Sequence, residues 1–148
     1  MKAITIKQPW ATLIALREKQ FETRSWQTKH RGSLAIHAGK TVDKKACQIK
    51  WIRDTLAVHG ITSWEQLPTG MVIATANIVD CHKIISDYED HAIMHTGLKI
   101  SGNEYRFGNY EDGRYAWELD TVQVLAEPVK AKGQLSLWEW NSEEGAAS

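Results

Sequence analysis

Between Phe21 and Trp26 the sequence reads FETRSW, and three of these residue types can do chemistry on a ligand. Glu22 accepts hydrogen bonds, Arg24 offers a planar fork of donors for phosphate or a base edge, and Trp26 brings an indole face for stacking. In an extended segment successive side chains alternate sides, so Glu22, Arg24 and Trp26 project together while Phe21, Thr23 and Ser25 project the other way. An anion, a cation and an aromatic ring on one face describe either a solvated strand with an exposed ion pair, contributing about 0–1 kcal/mol, or a recognition surface. Lys7, Trp10 and Lys19 stand close by in the chain and would add charge and a second indole.

Other groups compete for a role. His37, in LAIHA, falls on the opposite side from Leu34, Ile36 and Ala38, so it either enters the same site or serves as a hydrogen-bonded structural residue; its titration near neutrality would suit proton transfer. His91 and His95 would share a face at i, i+4 on a helix, with Cys81 and His82 near them in sequence. No glutamate follows His91 and no second pair has zinc-site spacing, so neither a metal nor a cofactor is expected. Cys47 and Cys81 are too few for a disulfide framework and read as free thiols.

These groups must be positioned by a mixed set of elements. AITI (Ala3–Ile6), QFETRSW, SLAIHA (Ser33–Ala38), MVIATANIVDC, RYAWELDTVQVL and QLSLWEW read as strands by their β-branched and aromatic content and their alternation. In the fifth of these, Tyr115, Trp117 and Leu119 point one way, and Ala116, Glu118 and Asp120 the other. Pro9 opens a short helix with Trp10, Leu13 and Ile14 on its buried stripe. A helix is expected over 42–58 with Ala46, Ile49, Ile52 and Leu56 on one face, capped by Gly60. Thr62 and Glu65 have capping-box spacing before a short helix. Residues 84–113 are polar and glycine-punctuated, a long excursion over the core of the kind that often carries function.

The chain has 148 residues, 43% hydrophobic and 24% charged, which suits one globular domain over residues 1–141 with a flexible tail at 142–148. No apolar run approaches a membrane span and the start lacks a signal peptide, so a cytoplasmic location without membrane contact is expected. A net charge of zero excludes a strongly basic bulk nucleic-acid binder. The charge is unevenly spread: residues 1–53 hold 12 of the 18 Lys and Arg and three acids, a net of +9, and the remainder carries −9. Such a split makes either a basic face or two halves that attract each other.

REKQFETR resembles the motif Gly-x-Lys-x-x-Glu-x-Arg of the ASCH family, relatives of the PUA RNA-binding domain, at Lys19, Glu22 and Arg24, with Arg17 in place of the glycine. IKQPWATLI, RGSLAIHA, GRYAWEL and KGQLSLWEW are similar to further blocks of one branch of that family. The resemblance runs from Ile4 to about Trp140. It implies an α+β fold, a PUA-like small mixed β-barrel with helices packed at its rim, and a cleft beside the motif for RNA or a modified nucleoside. Candidate ligand-binding residues are then Lys7, Trp10, Lys19, Glu22, Arg24, Trp26, His37, Tyr115 and Trp117. The alternative is a small hydrolase in the same cleft. Some members resemble amidohydrolases acting on acetylated cytidine with a threonine where this chain has Glu22, and Lys19 with Glu22 would then steer a water. A ribonuclease version would draw on Lys19, His37 and Tyr115. Replacing glycine by Arg17 implies that the turn differs here or that the first helix runs further, because a positive φ strains any residue with a Cβ.

Overall fold

Runs of alternating β-branched and aromatic residues become the strands on which everything else is hung. A computed structural model describes residues 1–141, so the tail expected at 142–148 lies outside the described residues. The order is β1 (Lys2–Gln8), α1 (Trp10–Ala15), β2 (Phe21–Arg24), β3 (Gly32–Val42), α2 (Lys50–Val58), β4 (Met71–Asp87), β5 (His91–Met94), β6 (Lys99–Ser101), α3 (Gly102–Arg106), β7 (Tyr115–Lys130) and β8 (Leu137–Glu139). Six strands form one sheet in the order β2-β7-β4-β3-β1-β8, and β5 with β6 extends from the far end of β4. β1 and β3 are parallel and the other pairs antiparallel.

The fold is therefore α+β and mostly strand. The pairing path does not return on itself: β2 and β8 end it, and no strand pair among the described residues closes a barrel. The long antiparallel pair β4/β7 changes register three times, between Val72 and Ala74, Thr75 and Asn77, and Ile78 and Asp80. Such bulges bend the strand and increase its twist, which curls the sheet. Ile4, Ile6, Ile36, Ile78, Trp117 and Leu119 pack on one side of that curl with Ala11 and Ile14 of α1. A second cluster joins Phe21 and Ala116 to Ile84, Met94 and Ile100 of the β5–β6 region. β7 is thus buried on both faces where Ala116 and Trp117 sit, each at 0% exposure.

Several local features differ from the sequence expectation for identifiable reasons. The helix expected over 42–58 begins only at Lys50, because Val42 still pairs with Gln8 and the Asp43 amide donates to the Gln8 carbonyl at 2.8 Å. Ala46–Gln48 is a separate 3-10 turn, and Ile49 is the extended residue preceding α2, exposed rather than on the buried face. The capping box falls one residue later than Thr62/Glu65: Ser63 accepts from Glu65 and the Gln66 side chain accepts from the Ser63 amide at 3.0 Å. His91 and His95 do not share a helical face, since His91 begins β5 and His95 follows that strand in a turn.

The turn after α1 settles the question raised by Arg17. α1 ends at Ala15, Leu16 is its cap, and Arg17 takes φ +64°. The amide of Arg17 donates to Ile14 O at 2.9 Å and that of Glu18 to Leu13 O at 3.0 Å, the paired pattern of a Schellman C-cap normally built on glycine. The glycine-type turn is kept with an arginine in it. Its guanidinium Nη2 donates to Val122 O at 2.7 Å, tethering the strained residue to β7. Left-handed backbone disfavours a residue with a Cβ by about 1 kcal/mol against glycine, and a hydrogen bond from a charged group offsets about 1.5–3 kcal/mol. Arg17→Ala keeps the strain and loses the tether, so it should destabilise by about 1–2 kcal/mol, with Arg17→Gly more stable than Arg17→Ala by about 1 kcal/mol. Urea titration of the three proteins checks this; equal midpoints for the alanine and glycine variants would refute the strained turn.

Candidate functional site

The side chains between α1 and the end of β2 converge because the C-cap just described reverses the chain, bringing Lys19 back beneath β2. Lys19 is 2% exposed, and its ammonium donates to Phe21 O and approaches Glu22 Oε1 at 3.4 Å. Glu22 is itself buried at 6%. Its other oxygen, Oε2, takes Arg24 Nε at 2.9 Å and Nη2 at 2.8 Å. Arg24 Nη2 also donates to Thr5 O at 2.9 Å, fixing β2 to β1. A buried carboxylate held between two cations results. Arg24 Nη1 has no hydrogen-bond partner among the described residues, so one edge of the fork remains available.

These groups line a cleft of about 570 Å³ together with Lys7 and Trp10. The opposite wall comes from the excursion expected at 84–113, and sequence reasoning did not single out its residues: Arg106, Gly108 and Asn109, with Arg114 just beyond. Phe107, 2% exposed, is the anchor of that wall, packing with Leu13 of α1 and with Ile52 and Leu56 of α2. Burying Phe107 leaves Arg106 and Gly108 on the rim. The loop is then stitched to β2, Asn109 N donating to Thr23 Oγ1 at 3.0 Å and Arg114 Nη2 to Thr23 O at 3.4 Å. A Cβ on Gly108 would lie 2.6 Å from the Tyr110 ring and 3.2 Å from Thr23, so only glycine admits this approach. The signal available in sequence was two arginines, Arg106 and Arg114, within a glycine-punctuated polar stretch.

Of the nine residues expected at a ligand site, the structure brings together Lys7, Trp10, Lys19, Glu22 and Arg24 at the cleft, and not Trp26, His37, Tyr115 or Trp117. Trp26 lies past the end of β2, where the chain bends and alternation stops. It packs edge-on against Trp117 at 4.8 Å, and Trp117 Nε1 donates to Trp26 O at 3.4 Å. Trp117 is wholly buried and Tyr115 packs against the same core. His37 is 1% exposed on the other side of β1. Its Nε2 is 2.7 Å from Ala131 O, its Nδ1 3.1 Å from Thr5 Oγ1, and Thr5 Oγ1 accepts from Trp138 Nε1 at 3.1 Å. Nε2 donates to Ala131 O, and burial lowers the His37 pKa, which favours the neutral ring with the Thr5 hydroxyl donating to Nδ1. Gly133 covers the network, where a Cβ would meet Thr5 Oγ1 at 2.7 Å.

The electrostatics of the cleft are one-sided. Lys7, Lys19, Arg24, Arg106 and Arg114 face a single carboxylate, Glu22. The excess charge of residues 1–53 is little neutralised by the other half: apart from Lys50 and Arg53 with nearby Asp54, only Lys2–Glu139 at 2.7 Å and Arg31–Asp80 at 3.5 Å join their cationic side chains to it among the described residues. Among those residues no three His, Cys, Asp or Glu side chains group to hold a metal ion. His82 instead bonds Thr96 and Glu118, each at 2.8 Å, and both cysteines are free thiols whose pKa is raised by burial.

Behind Lys19 lies Glu104, on α3. Its Oε1 accepts from Gln20 N at 2.6 Å and its Oε2 is buried without a partner, as is the Tyr110 hydroxyl. Burial raises the Glu104 pKa, the Lys19 charge opposing it only partly; the Tyr110 pKa is likewise raised, first by burial and then by Glu104 and Glu22. A carboxyl whose folded pKa exceeds its unfolded value binds more protons when folded, so it destabilises the fold as pH rises above the ordinary value of 4.5. Glu104→Gln should therefore gain stability relative to the parent between pH 4.5 and neutrality. Thermal melts of both proteins across that range check this, and parallel pH profiles would refute it.

Residues 4–131 match the ASCH domain. Activating signal cointegrator 1 is similar over 80 residues, 29% identical in Homo sapiens and 30% identical in Mus musculus. That stretch covers 53% of this chain and only 14% of each relative, so the likeness concerns one domain of a much longer protein. With nearly the whole described chain matched, this protein belongs to the ASCH domain family.

Proposed function

We propose that the cleft beside Lys19, Glu22 and Arg24 binds RNA or a modified nucleoside. The observation that carries this reading is the cleft's composition: five cationic side chains and one carboxylate around a space of about 570 Å³, with the Trp10 indole on its wall. Arg24 Nη1 would donate to a phosphate or base oxygen, the outer cations would neutralise phosphate, and Trp10 would stack on a base, worth about 1–3 kcal/mol. Single-stranded or looped RNA is read in this way. The PUA-like barrel of the family fits the same use, and the bulges of β4/β7 favour such rolling of the sheet. A cytoplasmic setting accords with two free thiols and with the absence, among the described residues, of any helix long and apolar enough to cross a membrane.

The test is binding of AMP and of a mixed-sequence single-stranded RNA octamer by calorimetry and fluorescence anisotropy. Arg24→Ala should weaken both by about tenfold or more, while Arg24→Lys, which keeps the charge and loses the fork, should fall between. Octamer affinity should decline steeply with salt, with a log–log slope of about −0.7 per phosphate contacted. Unchanged binding in a folded Arg24→Ala protein would overturn the assignment, and a flat salt response would favour a lone nucleoside.

A hydrolase is the second reading, favoured by the approach of buried Lys19 to Glu22 at 3.4 Å within the cleft. Glu22 would activate a water and Lys19 would stabilise the oxyanion at the scissile amide. It expects slow deacetylation of N4-acetylcytidine, lost in Lys19→Ala; no product at stoichiometric enzyme removes it. A ribonuclease version loses support from the placement of His37 and Tyr115 outside the cleft.

A further inference from the structure

The side chains of the cleft offer hydrogen bonds in one direction only. Every side-chain acceptor on its wall is already engaged: Glu22 Oε1 by Lys19 and Oε2 by Arg24, Thr5 Oγ1 by Trp138, Thr23 Oγ1 by the Asn109 amide, and Asn109 Oδ1 by the Glu111 amide at 3.3 Å. The donors are not. Lys7 Nζ, Arg24 Nη1, Arg106 Nε and Nη2, Arg114 Nη1 and Asn109 Nδ2 have no hydrogen-bond partner among the described residues. A ligand that fits such a wall presents oxygens to it and leaves its own N–H groups elsewhere.

Charge narrows the class further. Five cations and one carboxylate leave a net of four positive charges around about 570 Å³, and Lys7, Arg106 and Arg114 make no ion pair among the described residues. An internal phosphodiester brings about one negative charge per nucleotide, so a strand threading the cleft would leave most of these cations unmatched. A terminal phosphate brings about two negative charges and a terminal triphosphate about four, which balances the site. Arg24, Arg106 and Arg114 carry guanidinium forks, the geometry that takes phosphoryl oxygens in pairs, and Lys7 adds a point charge. Beyond the wall of Arg106, Gly108 and Asn109 the surface turns acidic, with Asp87, Glu89 and Glu111. An anion is repelled there and held to the cleft side.

We propose that the cleft receives the terminal triphosphate of a nucleotide, carried either by a free nucleoside triphosphate or by the 5′ end of an RNA. This rests on the reading of the cleft given above and specifies its ligand. The phosphoryl oxygens would meet Lys7, Arg24, Arg106 and Arg114, and the attached base would lie on Trp10.

The experiment compares AMP, ADP and ATP, and a single-stranded RNA octamer bearing a 5′-hydroxyl with the same octamer bearing a 5′-triphosphate, by calorimetry and fluorescence anisotropy with EDTA present. ATP should bind about tenfold or more tighter than AMP, with ADP between them. That ratio should fall to about twofold or less in Lys7→Gln/Arg106→Gln, whose altered side chains are exposed and whose thermal melt should match the parent. An RNA end as the source shows as a triphosphate octamer that outbinds both ATP and the hydroxyl octamer; a free nucleotide as the source shows as ATP binding that the triphosphate octamer does not exceed. Equal affinity for AMP and ATP together with equal affinity for the two octamers overturns the proposal and leaves the cleft reading in place, as does a triphosphate preference that survives in the double variant. Binding of none of the five ligands defeats the cleft reading and the proposal with it.

Discussion

A carboxylate buried between two cations governs this site. Glu22 and Lys19 would each be costly to bury alone; each is admitted to the interior because the other is there and because Arg24 completes the set. The group fixes three separate pieces of chain, the turn after α1, the edge strand β2 and, through the Thr5 carbonyl, strand β1. It stands against the hydrophobic packing rather than replacing it: Phe21 and Trp117 bury their bulk on either side of β2 and β7, while the ionic group sets the orientation of the guanidinium. A free arginine side chain would lose much of its rotamer entropy on meeting a ligand; here that cost falls on folding.

Thr5 connects the cleft to the far side of the sheet. Its carbonyl accepts from Arg24, while its hydroxyl bridges Trp138 and His37. His37 thus supports the site from behind without entering it, which explains a fully buried imidazole whose hydrogen bonds are all internal. Gly133 is obligatory for the same reason, since the loop after β7 must lie directly on that network.

What could be read from the sequence divides along physical lines. Alternation located β1, β3, β4 and β7, because strands with a buried face write their period into the residues. The pairing of Glu22 with Arg24 followed from the same two-residue period, and the prediction failed for Trp26 where the chain bends one residue after β2. The boundary near Val42 was missed because the parallel pairing of β3 with β1, a contact across some 30 residues, outweighs local helical preference. The second wall was invisible for a related reason. Nothing local marks Arg106 or Glu104 as neighbours of Lys19, since a tertiary anchor, Phe107, brings them there, and Phe107 reads in sequence as any lone aromatic in a loop.

Arg17 carries a lesson about motifs. The bend into the site demands a handedness of the backbone, and the chain meets that demand with a long side chain lashed to the Val122 carbonyl. A search pattern insisting on glycine at this point would pass over chains that make the same corner by another route, and a loosened lashing would be felt first at the lysine two residues on.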